Sequence, residues 1–187
     1  SIGLLRQHIL PTQRIHGIVT KGGDAPNIIP AHTSAEYILR GQTLQELEDL
    51  RPRVARCFEA GALATGSSLE ILDGAKPYAE VIHDQDMADI YRRNSEALGR
   101  TYPDLGPIFE RATASTDMGN VSLAMPTIHP MIGINSGSAG NHQPEFTAHC
   151  ATEDADRAII HGATAMAWTA IDLATNAGVR ERLLSGD

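Results

Sequence analysis

Residues 14–41, RIHGIVTKGGDAPNIIPAHTSAEYILRG, carry the pattern that decides the fold of the first part of the chain. β-Branched residues follow Arg14 and run into a double glycine at 22–23, which predicts a strand that ends in a turn. Residues 34–41 predict a second strand. Because the connection between the two is short, an antiparallel pair is the simplest arrangement.

A helix is predicted directly after this pair. Thr43 and Glu46 match a capping box, apolar residues follow at helical spacing, and Gly66 supplies the stop. Pro52 lies inside the pattern, so we expect the helix to be kinked or interrupted there.

The flanking segments extend this alternation. SLEIL at 68–72 predicts a third strand, and the apolar spacing that starts at Ile2 predicts a helix at the beginning of the chain. Helix, strand, strand, helix, strand is the ferredoxin-like alternation without its first strand, which makes the predicted fold class α/β of the α+β type. Since the first helix begins at once, without Met or a capping residue, we expect the chain to be part of something longer.

The pattern changes after Asp73, and we predict a domain boundary that separates residues 1–74 from 75–187. The second part begins with a short helix capped by Asp84 and closed by Gly99. A buried strand is predicted from Leu123 to Ile128.

The end of the chain is predicted to be a glycine-rich loop followed by a long helix. The loop is GINSGSAGNHQPEF, residues 133–146, which is too rich in glycine for a regular element. The helix runs from about Thr152 to Asn176, with Gly178 as its C-cap. We expect its small-residue stripe to lie close on a sheet; the stripe comprises Ala155, Ile159, Gly162, Ala163, Met166, Ala170 and Ala174.

Charge and cysteine content limit the class of protein. The net charge is −8, with 15 Lys and Arg against 23 Asp and Glu. Without a basic run or a basic helix face, a nucleic-acid or anionic-membrane partner is disfavoured. Cys57 and Cys150 form no CxxC pair, so we expect two buried free thiols in a reducing compartment, the cytoplasm. No apolar run reaches the roughly 18 residues that span a bilayer.

The histidines are the first candidates for chemistry. His142 lies in the glycine-rich loop, where a ligand could position it, and imidazole is the commonest metal ligand near neutral pH. A plain surface histidine is the alternative. His129 ends the predicted strand and is either functional or a packed structural residue. His16, His32, His149 and His161 have no metal-ligand spacing and are interpreted as structural or surface residues.

Three further side chains could act on a substrate. Asp117 lies in a polar turn, where it could orient a metal-bound histidine or a substrate amide, or else bind its own backbone in an Asx-turn. Arg40 ends a strand and could hold a carboxylate, or could simply be solvated. Asn27 could donate to a developing oxyanion, or be a turn residue that tolerates a left-handed conformation.

Four segments taken together resemble the dinuclear-zinc amidohydrolase family, which includes aminoacylase, glutamate carboxypeptidases and p-aminobenzoyl-glutamate hydrolase subunits. They are HGIVTKGGDAPNIIPAHTSAEYILRG, GSSLEI, ASTDMGNVS…PTIHP and GNHQPEFT, in this order. The resemblance is strongest to the aminoacylase-like dipeptidase branch. It implies that residues 1–74 are most of a ferredoxin-like lid that forms a homodimer, and that 75–187 are the C-terminal segment of an α/β zinc-peptidase catalytic domain.

The same resemblance implies a role for several residues. His142 matches a metal ligand, and Asn27 matches an asparagine that reaches a neighbouring active site to bind the scissile carbonyl region. Arg40 matches an arginine that faces the substrate carboxylate, and Asp117 matches a catalytic position close to the metals. The remaining candidates for substrate binding are Gly133 and Gly137 of the glycine-rich loop and His129 of the PTIHP motif.

The predicted function is therefore metal-dependent hydrolysis of a small-molecule amide: an N-acyl amino acid, a dipeptide or an aminobenzoyl-glutamate-like compound. The family uses two divalent ions, with zinc expected and cobalt or manganese as alternatives. Its other metal ligands and its glutamate base would lie upstream of Ser1. The alternative function is a non-catalytic dimerisation and ligand-binding fragment.

Overall fold

The computed structural model describes residues 1–74, 76–102 and 115–185 and shows an α+β protein, as predicted. The described residues separate into two compact units. Unit 1 comprises residues 1–74, 76–80 and Ser115, and unit 2 comprises 81–102 and 116–185. The predicted assignment of 1–74 and 75–187 to two functional domains stays a prediction.

Unit 1 is built on the predicted antiparallel pair. Strand β1 (Arg14–Lys21) pairs with β2 (Ser34–Arg40) from Arg14 opposite Arg40 to Lys21 opposite Ser34, with an irregularity between Val19 and Lys21. Gly17 lies opposite Tyr37, where an added Cβ would come within 2.3 Å of the ring. Glycine is needed at this position because the aromatic ring fills the space of a side chain.

Helices flank this strand pair. Helix α1 (Ile2–Leu5) leads into a 3₁₀ turn (Arg6–His8), and α2 spans Leu44–Thr65. The Thr43 side chain accepts from the backbone N–H of Glu46, and Gly66 ends α2 in the left-handed conformation at φ 68°. Both predicted ends of α2 are confirmed. The helix is not interrupted at Pro52 but continues through it to Thr65, although proline cannot donate a backbone hydrogen bond; the expected kink stays a prediction.

The core of unit 1 lies between the strand pair and α2. Ile15, Leu50 and Val54 are buried there. The rings of Tyr37 and Phe58 pack edge to face with centroids 5.1 Å apart. Other apolar residues cover this core in part: Ile2, Leu5, Ile9 and Leu39. The core holds β2 against α2 and so fixes the strand that ends in Arg40.

The third predicted strand, residues 68–72, is wrong. These residues follow α2 without strand structure, and Leu69 and Leu72 are exposed. A strand needs a hydrogen-bonded neighbour, and among the described residues the sheet has only β1 and β2. The described elements of unit 1 thus follow the order helix, strand, strand and helix, and the ferredoxin-like assignment stays a prediction.

Unit 2 is helical among its described residues. Helix α3 spans Gln85–Ala97, α4 Met118–Ser122, α5 Pro144–His149, α6 Glu153–Thr175 and α7 Ala177–Ser185. The ends of α3 and α6 agree with the predicted helices, and Thr152 caps α6 through the Ala155 N–H. Gly178 is not its C-cap; Asn176 takes that position, and Gly178 lies in α7.

Helices α3 and α6 pack against each other and form the core of unit 2. Ile90, Tyr91 and Ser95 are buried on α3. On α6 the buried residues are Ala155, Ala158, Ala165 and Thr169, so the predicted stripe is wrong apart from Ala155. Ile159 and Met166, at 66% and 60% exposure, lie outside the core because α3 covers a different face of the helix.

The predicted strand at 123–128, the two cysteines and the glycine-rich loop were not all predicted correctly. Residues 123–128 form a turn followed by residues without regular structure instead of a strand. Asp84 N donates to Thr127 O at 2.9 Å. Cys57 is only partly buried and Cys150 is exposed, although both are free thiols. The glycine-rich loop is irregular as predicted up to Gln143, after which α5 begins.

Among residues 1–74, 76–102 and 115–185, no helix combines the length and apolarity that crossing a membrane requires.

Asp84 links two helices of unit 2 through one carboxylate. It caps α3 by accepting from Met87 N at 3.0 Å and accepts two bonds from Arg182 of α7, at 2.8 and 2.9 Å. The Asp84 side chain is only 9% exposed. These contacts, the Arg182 hydrogen bond first, hold the pKa of Asp84 below its ordinary value of 3.8 although burial opposes them.

We expect Asp84→Asn to lower the free energy of unfolding by about 1.5–3 kcal/mol at pH 7, the range for hydrogen bonds to charged groups. Asparagine caps helices as well as aspartate does, so the decrease in the free energy of unfolding measures the contribution of the Asp84–Arg182 pair. Because the folded pKa is depressed, this stabilisation is present above pH 3.8 and disappears as pH falls through the folded value. Urea unfolding at several pH values measures it.

The matched control is Asp73→Asn, which breaks the Arg51–Asp73 pair whose side chains are 61% and 69% exposed. Exposed pairs contribute about 0–1 kcal/mol, so this variant should differ little from the parent. A deficit of Asp84→Asn that stayed constant down to pH 2 would contradict the charge-pair account.

Candidate functional site

The seven predicted site residues fall into both units. Asn27 and Arg40 belong to unit 1, whereas Asp117, His129 and His142 belong to unit 2 with the two loop glycines, Gly133 and Gly137. Each group is described by itself.

Asn27 lies in the turn of the β1–β2 connection. Ile28 N donates to Ala25 O at 3.2 Å and closes this turn, and the Asn27 side chain is exposed with no hydrogen-bond partner among the described residues. Its φ is not in the left-handed region, so the turn-residue alternative based on that conformation does not hold. Beside it, Ile29 is 94% exposed. The amide is free to donate to a bound group.

Arg40 is the last residue of β2 and is exposed. Its Nη1 donates to Ser115 Oγ at 3.2 Å. Among the described residues it forms no ion pair, so the other guanidinium N–H groups can bind a carboxylate.

Asp117 precedes α4 at the N-cap position, but its side chain makes no capping hydrogen bond. The local turn is instead stabilised by Thr116, whose Oγ1 accepts from Met118 N at 3.3 Å. Asn120 N donates to the Asp117 backbone oxygen at 3.0 Å. The Asx-turn alternative is therefore wrong, and the exposed carboxylate has no hydrogen-bond partner within the described ranges.

His129 is exposed, and its backbone N–H donates to Nδ1 of His83 at 3.4 Å. The contact involves only its main chain. Sequence reasoning gave His83 no role, since no spacing links the two residues. The His129 imidazole itself makes no hydrogen bond or ion pair among the described residues.

The glycine-rich loop has an unusual backbone. Asn135, Gly137 and His142 have positive φ values of 59°, 59° and 68°, and Gly133 does not. Left-handed backbone is uncommon outside glycine, although histidine and asparagine adopt it more readily than most residues. His142 is exposed at the end of this loop, immediately before α5. The loop thus holds the imidazole outside any helix face.

The described residues contain no group of three or more His, Cys, Asp or Glu residues that could hold a metal ion. His142 has the right donor chemistry for zinc and is accessible, and it is the one donor that we assign. A zinc centre requires further ligands beside it.

Unit 2 also contains a pocket whose residues the sequence did not reveal as a group. Arg100, Arg157 and His161 line a pocket in unit 2 together with Asp154 and Asn135. The arginine before the loop and the two residues on α6 are far apart in sequence. Only the packing of α3 against α6 brings them together, and no motif signals it.

Comparison with known proteins supplies the relationship. No protein-family model matches the chain. The chain is 35% identical over 173 residues to the Xaa-Arg dipeptidase of Mus musculus, covering 92% of this chain and 40% of that protein. The human Xaa-Arg dipeptidase gives 35% over 173 residues, with 92% of the chain and 39% of the relative covered.

A third relative is one of the subunits of p-aminobenzoyl-glutamate hydrolase from Escherichia coli strain K12. It is 31% identical over 67 residues, which are 35% of this chain and 14% of that protein. The chain spans about two fifths of the length of the dipeptidases that it matches. The predicted resemblance is confirmed: the chain is a relative of the aminoacylase-like dipeptidases and amidohydrolases.

Proposed function

We propose that the chain is part of a metal-dependent amide-bond hydrolase that acts on dipeptides, N-acyl amino acids or aminobenzoyl-glutamate-like compounds. The observation that carries the proposal is the 35% identity to Xaa-Arg dipeptidases over 92% of the chain. Dipeptides that end in arginine are accordingly the first substrates to test.

The residues of unit 1 would handle the substrate. Asn27 would donate its amide N–H to the carbonyl oxygen on which negative charge develops during attack. Arg40 would hold the free carboxylate of the substrate through its planar fork. Both side chains are exposed and lie outside the core of unit 1, so a substrate can reach them.

The residues of unit 2 would serve the reacting centre. His142 would supply one ligand to a pair of divalent ions, zinc first, with cobalt and manganese as alternatives, and the remaining ligands would come from outside the described residues. Such ions polarise a carbonyl group and lower the pKa of bound water to about 7. Asp117 would orient a ligand or substrate amide with its unpartnered carboxylate, and Gly133, Gly137 and His129 would line the carboxylate end of the substrate.

The proposal includes a homodimer formed through the lid, to which we assign residues 1–74, and a cytoplasmic location. Exposed apolar side chains on the strand pair and its connection support the dimer. They are Ile18, Val19, Ile28, Ile29 and Ile38. The acidic charge, −8, fits a small-molecule substrate better than a polyanion.

Metal analysis and a hydrolysis assay together test this function on the protein expressed from its own gene. We expect about two divalent ions per chain and release of arginine from an Xaa-Arg dipeptide. A chelator should stop the release, and added zinc, cobalt or manganese should restore it. Ligand binding without metal or hydrolysis would instead favour a non-catalytic dimerisation and binding fragment.

A further inference from the structure

A pocket of about 160 Å³ lies in unit 2 between the end of α3 and the first turns of α6. Charged and polar side chains line it together with Gly99 and Ile134. The main lining residues are Arg100, Ile134, Asn135, Asp154, Arg157 and His161. Since one water occupies about 30 Å³ in the liquid, the pocket has room for a small organic or inorganic ion.

Arg100 is one of the lining residues, and only part of its guanidinium group is used in hydrogen bonds among the described residues. Its Nη1 donates to Gly133 O at 3.0 Å, which anchors one side of the guanidinium. Nε and Nη2 are buried and have no hydrogen-bond partner in the part of the chain that the structure describes. These two N–H groups form the side-on fork that matches two oxygens of a carboxylate or phosphate.

His161 adds a third unused nitrogen. Its Nδ1 is also buried without a partner among the described residues. Buried polar atoms in folded proteins are nearly always hydrogen-bonded, to protein, water or ligand. Three such atoms on two residues of one pocket therefore indicate an occupant that carries acceptors.

The charge balance favours an anion. The Asp154 carboxylate accepts from Asn135 Nδ2 at 2.7 Å and pairs with Arg157. These two contacts, Asn135 first, hold the pKa of Asp154 below its ordinary value, so this carboxylate stays ionised and engaged. The charge of Arg100 also contributes to lowering this pKa, although Arg100 forms no ion pair among the described residues. The pocket therefore has two guanidinium groups against one carboxylate.

We propose that this pocket binds a small oxyanion on the Nε–Nη2 edge of Arg100, with His161 as an additional contact. The ligand group is a carboxylate or a phosphate, because both present paired oxygens at the spacing of the fork. The site adjoins Gly133, to which the proposed function gives a role in substrate binding, but its lining does not include His142, Asn27 or Arg40. It requires only residues of unit 2.

Isothermal titration calorimetry of the protein expressed from its own gene, with sodium acetate and, separately, inorganic phosphate, tests the proposal at constant ionic strength. We expect saturable binding of one ion per chain, and at least about tenfold weaker binding by Arg100→Gln, since a charge-assisted bidentate contact is lost. Arg100→Lys keeps the charge but not the fork and should also bind more weakly. Saturation by acetate alone identifies a carboxylate site, and saturation by phosphate alone a phosphate site.

The control is Arg92→Gln, which removes an equal charge from an exposed α3 residue that pairs with Glu96. It should bind as the parent does. Circular dichroism verifies folding. If Arg100→Gln does not fold, Arg157→Gln replaces it. Anion binding should then weaken, because the negative charge of Asp154 has lost its ion-pair partner. Failure of both anions to saturate, or equal affinity in the parent and in the folded Arg100 or Arg157 variant, would overturn the proposal.

Discussion

Replacing His142 with asparagine is expected to weaken divalent-metal binding by at least about 100-fold and to abolish hydrolysis at ordinary metal concentrations. Even changes in residues that only support a metal ligand cost about 10–100-fold in affinity, so the loss of a ligand itself should cost more. The substitution follows from the backbone: His142 has φ 68°, a conformation that asparagine also tolerates. The loop should therefore keep its shape while the imidazole is removed.

Metal stoichiometry after dialysis, measured by elemental analysis, gives a result that does not depend on catalysis. His8→Asn is the matched control, because His8 is an exposed histidine of unit 1 with no predicted role in the site. It should retain metal and activity. Full metal content in His142→Asn would remove this residue from the metal centre and leave the rest of the chain's assignment to be re-examined.

The elements that could be predicted from sequence are those specified by local chemistry. The ends of α2 follow from Thr43, Glu46 and Gly66, whose side-chain bond and left-handed φ act within one turn of the helix. The β1–β2 pair is also local, because a short connection brings its two strands together. Both were predicted without knowledge of any distant contact.

The predictions that were wrong concern features that depend on contacts with residues distant in sequence. Residues 68–72 and 123–128 have the composition of strands, but the described residues provide no neighbouring strand for either. On α6, small and apolar residues surround much of the helix, so periodicity could not select the face that α3 covers. Burial of Ala158, Ala165 and Thr169 instead of Met166 is a consequence of packing.

The candidate site shows the same division. Asn27, Arg40 and His142 could be singled out because each lies in a motif with a recognisable residue type, and the structure leaves all three side chains accessible. The pocket of Arg100 and His161 could not, because it arises from the packing of two helices that are distant in sequence. Which residues meet is a property of the fold, whereas which residues have useful chemistry can be read locally.

Asn27→Ala is expected to lower kcat by about 10²–10³-fold while KM changes little, the pattern for loss of one oxyanion donor. The physical reason is that a substrate carbonyl is neutral before attack and carries negative charge only in the transition state. A hydrogen bond to that oxygen therefore stabilises the transition state more than the bound substrate. Steady-state kinetics with an Xaa-Arg dipeptide measure both constants.

The position of Asn27 makes this prediction separable from a folding defect. Its side chain is exposed in the β1–β2 connection and makes no hydrogen bond among the described residues, so its removal should change the free energy of unfolding by no more than about 0.5 kcal/mol. His32→Ala, at another exposed position of the same connection, is the matched control and should keep the parent kcat. An oxyanion donor must act on the chemical step, so a rise in KM at constant kcat would assign Asn27 to ground-state binding of the substrate. Unchanged constants would exclude Asn27 from the site.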